Sequence, residues 1–162
     1  MSRPRVEVRV DDLTGTEVRA LLADHLAGMH ATSPAESVHA LDLSGLRGPD
    51  VTFWSAWVGD DLAGCGALKE LSATSGEVKS MRTAPTHLRQ GVAAAVLERI
   101  VATARERGYD ELLLETGHGP AFDAAHRLYE RFGFAPCGAF ATYEGDDPFS
   151  RFFRLGLARD GG

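Results

Sequence analysis

Cysteine is scarce: the 162 residues hold two, Cys65 and Cys137, far apart and without metal-type spacing. That excludes a disulfide-stapled scaffold and makes a reducing compartment the expected setting. No apolar run nears the ~20 residues that a membrane-spanning helix needs. The start, Met1-Ser2-Arg3-Pro4-Arg5, leads straight into the alternating Val6-Glu7-Val8-Arg9-Val10 and lacks the apolar stretch of a secretory signal. A cytoplasmic protein without a membrane partner is expected. Positive charge is in deficit, 17 Lys+Arg against 23 Asp+Glu for a net charge of −6. Such a chain has no general attraction for phosphate backbones, so nucleic acid is not an expected partner. The six histidines form neither a His-x-x-x-His nor a His-Glu-x-x-His pair, and no metal site is expected. Internal repeats and low-complexity tracts are absent as well.

What is present suits an ordinary globular protein, with 44% hydrophobic and 25% charged residues. The length predicts one domain over residues 1–162, able to bury about two-thirds of its unfolded surface. A strand is predicted over 5–10, with Val6, Val8 and Val10 on one face. A helix follows, with Thr14 as cap and Glu17 completing a capping box, and Val18, Leu21, Leu22, Leu26 and Met29 on one side. Ser33-Pro34-Ala35-Glu36 can open a second, short helix. Residues 51–58 and 62–71 read as a hairpin joined by Gly59-Asp60-Asp61, and 77–83 as a further strand. Helical spacing returns over 91–107 and is stopped by Gly108; Leu112-Leu113-Leu114 reads as a covered parallel strand. A helix over 120–132 and strands over 135–142 and 149–157 complete the order β-α-α-β-β-β-α-β-α-β-β. This is an α+β chain around one central mixed, mostly antiparallel twisted sheet flanked by helices.

Chemistry concentrates in Gly76–Ala95, where a strand runs through a short turn into a helix. The helix opens with Gly91, Ala93, Ala94 and Ala95 and has no Ser, Thr, Asp or Asn before its first turn. Its first carboxylate, Glu98, lies well inside. Helices normally cap their orphan N–H groups and place acids in the first turn. Both devices are missing here and Arg89 is close by, a combination that can hold a phosphate. Close packing of the alanines on a sheet explains the same residues equally well. Neither a P-loop nor a Gly-x-Gly-x-x-Gly fingerprint is present.

With that segment and Leu128-Tyr129-Glu130-Arg131-Phe132-Gly133-Phe134, the sequence resembles the GNAT superfamily of N-acetyltransferases over residues 5–157. Gly91 and Ala93 match the last two fixed positions of its Gln/Arg-x-x-Gly-x-Gly/Ala motif. The first falls on Leu88, a departure, and Phe122 stands where members often carry Asn, a second one. The resemblance implies a GNAT-like fold and an acyltransferase that moves acetyl from acetyl-CoA directly to a primary amine of a small molecule or peptide, with no covalent enzyme intermediate. A catalytically silent acyl-CoA-binding regulatory module is the alternative.

The resemblance further implies that Met81, Arg82 and Thr83 meet the pantetheine arm and that Arg89, Gln90, Gly91, Val92, Ala93 and Ala94 meet the pyrophosphate. Glu77 becomes the candidate base, against a surface carboxylate paired with Lys79 or Arg82. Tyr129 becomes the candidate acid for the thiolate, with the ordinary phenol pKa near ~10, against a core aromatic. His30 and His39 bracket the segment where GNAT folds often build the acceptor pocket, and they are candidate substrate contacts, against exposed loop histidines. Trp54 and Trp57 face opposite sides of their strand, one in the core and one able to wall the acceptor site. Dimers are common among GNAT folds, so a homodimer is an expectation of the same kind.

Overall fold

A computed structural model describes residues 5–23, 48–117, 122–138 and 150–157. His30, His39 and the short helix expected from Ser33 lie outside these residues.

Seven strands form one sheet in the order β1-β2-β3-β4-β5-β7-β6. They are β1 (Glu7–Val10), β2 (Val51–Val58), β3 (Asp61–Ser72), β4 (Ser75–Thr83), β5 (Glu111–Gly117), β6 (Ala135–Cys137) and β7 (Ser150–Gly156). Every neighbouring pair is antiparallel except β4 and β5. A parallel pair needs a crossover, and α2 (Val92–Glu106) supplies it. Helix α1 starts at residue 16 and is described to residue 23; α3 (Asp123–Arg131) lies between β5 and β6.

The two faces carry separate cores. Val92, Val96, Leu97, Ile100, Val101 and Ala104 of α2 pack with Trp54, Leu68, Val78, Leu112 and Leu114 on one face. Val18, Leu21 and Leu22 of α1 pack with Phe53, Cys65 and Ala67 on the other. The α2 stripe is the one the helical spacing predicts. Glycines let α2 sit close on β3: a Cβ at Gly64 or Gly66 would lie 2.7 Å from Val92 or 2.6 Å from Val96. The first turn of α2 is thereby pinned over the sheet, beside the strand that leads into it.

Three local expectations are corrected. Thr14 does not cap α1: its hydroxyl donates to Asp12 Oδ1 at 2.7 Å, so the nearer carboxylate takes it, and the helix starts after Gly15. Val10 is 67% exposed, because β1 is an edge strand whose end overhangs the core that Val6 and Val8 reach. The strand expected over 135–142 ends at Cys137, with Gly138 outside it.

Candidate active site

The site starts from a break in the sheet. Strands β4 and β5 pair only from Ser75↔Glu111 to Val78↔Leu114. Immediately beyond, β4 is irregular against β3: the register steps from Ala67↔Lys79 to Cys65↔Arg82, so Gly66 alone opposes both Ser80 and Met81. Ser80 takes φ 56°, a left-handed conformation unusual for a non-glycine residue. This is a β-bulge, which bends its strand, and it falls where β4 parts from β5. Past the bulge, Ala84 N–H donates to Ala63 O at 2.7 Å on the β3 side. Backbone groups of successive residues alternate between the two edges. Met81 and Thr83 therefore direct theirs toward the edge that β5 has left, while Arg82 faces β3.

That edge runs into an anion-type helix start. After a 3-10 turn over Pro85–His87, Arg89 (φ 63°) and Gly91 (φ 78°) are both left-handed. Gly91 is the N-cap of α2, with no side-chain cap and no acid in the first turn. Ala95 N–H makes the bond to Gly91 O, so the amides of Val92, Ala93 and Ala94 precede the helical ladder. Gln90 Oε1 is buried without a hydrogen-bond partner. The orphan amides at the positive end of a 15-residue helix fit a diphosphate; Gln90 Oε1, an acceptor, adds nothing to that fit. Leu88, at the departing motif position, is 59% exposed and offers no polar atom.

Glu77 is not a surface carboxylate. It is buried, and Lys79 Nζ, also buried, donates to its Oε2 at 3.1 Å. The Lys79 half of the expected pairing thus stands, in the sheet rather than on the surface. Tyr129 is buried on α3, edge-on to Phe134 at 5.7 Å between ring centroids and tilted against Phe153 at 6.4 Å. Burial raises its phenol above the ordinary value, which corrects the expectation of an unperturbed group. Cys65 is packed, as expected; burial pushes its thiol up to about 12 against the opposing pull of Arg82. Cys137 is half-buried, and burial raises it too. Trp54 is in the α2-side core. Trp57 is half-buried and carries the Arg9 guanidinium 5.1 Å from its ring centroid.

One polar cluster has no counterpart in the sequence reading. His126 Nε2 lies 2.7 Å from Thr116 Oγ1 and 3.1 Å from Gly117 O, at the end of β5 beside the break. Its position one helical turn before Tyr129 was the available signal.

A mixed sheet opened between a bulged strand and its parallel neighbour, with an uncapped helix at the foot of the opening, is the architecture of an acyl-CoA-dependent transferase. The model of the acetyltransferase (GNAT) family matches residues 17–134, and the chain belongs to that family and is an acyltransferase. It is 56% identical over 147 residues to the uncharacterized N-acetyltransferase YsnE of Bacillus subtilis, covering 91% of this chain and 97% of that one. It is 52% identical over 153 residues to the uncharacterized N-acetyltransferase YedL of Escherichia coli, covering 94% and 96%. Among solved structures, an acyl-CoA N-acyltransferase, so described, of Klebsiella pneumoniae superposes with TM-score 0.79 at 30% identity over 94% of this chain and 98% of that one. A GNAT acetyltransferase of Elizabethkingia anophelis with acetyl-CoA bound shares the fold, with TM-score 0.65 at 15% identity over 94% and 98%.

Proposed function

We propose that this chain is an acetyl-CoA-dependent N-acetyltransferase acting on a primary amine of a small molecule. The observation that carries the reading is the continuity of two unsatisfied backbone arrays, the β4 edge at Met81 and Thr83 and the start of α2 at Gly91–Ala94. An extended, amide-bearing arm ending in a diphosphate matches both at once. Arg89 and Gln90 flank the diphosphate end, and Arg82 lies on the strand between.

The transfer forms a C–N bond and breaks a C–S bond. The attacking nitrogen gives up a proton, and the departing thiolate gains one. Glu77, four residues before Met81 on the same strand, takes the first directly or through water; Tyr129 supplies the second. Burial of the Cys65 thiol gives no support to an acetyl-cysteine intermediate there, and in this proposal the acetyl group passes straight to the amine. His30 and His39 remain candidate contacts to the acceptor, and Trp57 a candidate wall for it. The reading treats residues 1–162 as one domain working in the cytoplasm. No helix among the described residues is long and apolar enough to cross a membrane.

Leu88 and Phe122 favour a second reading, an acyl-CoA-binding module without turnover. Titration calorimetry with acetyl-CoA and CoA, followed by a thiol-release screen over primary amines, separates the two. Saturable binding with thiol and acetylated amine formed in equal amounts is expected. Saturable binding with no thiol on any amine selects the module, and absence of binding rejects both.

A further inference from the structure

We propose that His126 is a positioning residue that clamps the start of α3 onto the end of β5 and so sets the place of Tyr129 against β7. The inference rests on Tyr129 being the proton donor. Three contacts converge on Gly117 and its neighbour. The Thr116 hydroxyl lies 2.8 Å from Gly117 O, to which it can only donate. With that proton used, Thr116 Oγ1 can only accept from His126. Gly117 O can only accept as well. All three contacts are satisfied together when the ring proton sits on Nε2 and is shared between Oγ1 at 2.7 Å and the carbonyl at 3.1 Å.

The second jaw of the clamp is apolar. Phe122, four residues before His126, lies on Gly117 so closely that a Cβ there would run into its ring. Phe122, at the N-cap of α3, and His126, one turn on, thus both close on a single glycine. Phe122 is the N-cap of α3 and makes no capping bond; the grip supplies the anchorage that a capping side chain would otherwise give. His126 is also tilted against Phe153 at 5.3 Å between centroids, and the same ring meets Tyr129 at 6.4 Å. The two side chains therefore bracket one β7 residue. A shift of the His126 turn against β5 is passed to Tyr129 one turn later.

The test uses the full-length protein and two substitutions that separate hydrogen bonding from packing. His126→Phe keeps a ring against Phe153 and removes the donor. His126→Gln places an amide N–H near the position of Nε2. Acetyl transfer from acetyl-CoA to hydroxylamine, a small amine neutral at pH 7, reports turnover without demanding a particular acceptor pocket. Imidazole nitrogen spectra of the ligand-free protein report the tautomer, with an Nε2-protonated ring expected. His126→Phe should lower kcat about tenfold, as a small displacement of a reacting group does. The acetyl-CoA Kd should stay within about twofold, because the interaction lost belongs to the transition state. His126→Gln should recover most of the rate.

In the His126→Phe/Tyr129→Phe double variant the rate should equal that of Tyr129→Phe alone, since the first residue acts through the second. Losses that multiply in the double variant, equal rates for the Phe and Gln variants, or an Nδ1-protonated ring overturn the clamp. Should His126→Phe fail to fold, Thr116→Val removes the hydroxyl alone and must slow turnover in its place; an unchanged rate there also overturns it. A wild-type rate in Tyr129→Phe rejects the donor itself. A slow Tyr129→Phe beside a wild-type His126→Phe rejects only the clamp.

Discussion

Lys79 Nζ sits 3.1 Å from Glu77 Oε2, with side chains 7% and 3% exposed, one residue on either side of the last rung that joins β4 to β5. An ion pair sealed inside a sheet is held by mutual need: each charge has been taken out of water and is tolerated because the other is there. Lys79→Met should therefore destabilise the fold by about 3–5 kcal/mol, and the Glu77→Leu/Lys79→Met double variant by much less. Urea denaturation measures both. Equal losses in the single and double variants would show that the pair is not coupled.

Glu77→Gln bears on chemistry as well as on stability, since it removes the charge that faces Lys79. A general base contributes about 10²–10⁴-fold to rate, so turnover should fall by at least about a hundredfold with the acetyl-CoA Kd nearly unchanged. Calorimetry beside a thiol-release assay gives the two numbers. Full turnover in Glu77→Gln would transfer the base role to another group.

Tyr129→Phe should lower turnover and leave acetyl-CoA affinity nearly intact. Its phenol is raised by burial, and the sign of that shift matters. A raised pKa keeps the donor form intact to higher pH, so Tyr129 should impose no alkaline loss of rate below the ordinary phenol range near ~10. A rate profile measured from pH 7 to 10 should stay level with respect to this group. A downturn in that range that vanishes in Tyr129→Phe would contradict the burial.

Gly91 adopts φ 78° with nothing within 4 Å of an added Cβ. Gly91→Ala should cost about 1–2 kcal/mol of stability through backbone conformation alone, because space is not limiting. Gly91→Glu adds a carboxylate to the orphan amides and should weaken acetyl-CoA binding by more than tenfold, or about 1.4 kcal/mol. Wild-type affinity in Gly91→Glu would remove the diphosphate from this helix start.

Much of this was legible in the sequence because periodicity survives folding. The stripe Val92, Val96, Leu97, Ile100, Val101 and Ala104 reads directly as a buried helix face, and Leu112–Leu114 as a strand covered on both sides. The missing cap at Gly91 was legible too, since a cap is a local pattern. The bulge at Ser80 was not: it exists only in the register of β4 against β3, and no residue type announces it. Burial of Glu77 was hidden for a similar reason. A charged residue in an alternating strand reads as solvent-facing until the opposite face is known to carry α1. The clamp on Gly117 joins residues nine and ten apart across a turn, a relation that neither strand nor helix spacing displays.

Among the described residues, four rungs of parallel pairing and the bond from Asp110 N–H to Thr74 O beside them are what backbone bonding contributes across the middle of this sheet. The molecule can thus be regarded as two leaves, β1–β4 and β5–β7, bound along a short spine and backed by α2. A guest lying between the leaves would stitch them, adding to cohesion in proportion to the logarithm of its concentration once above its Kd. Resistance to heat and the supply of the acyl donor would then be one variable: a cell short of the donor would hold a looser enzyme.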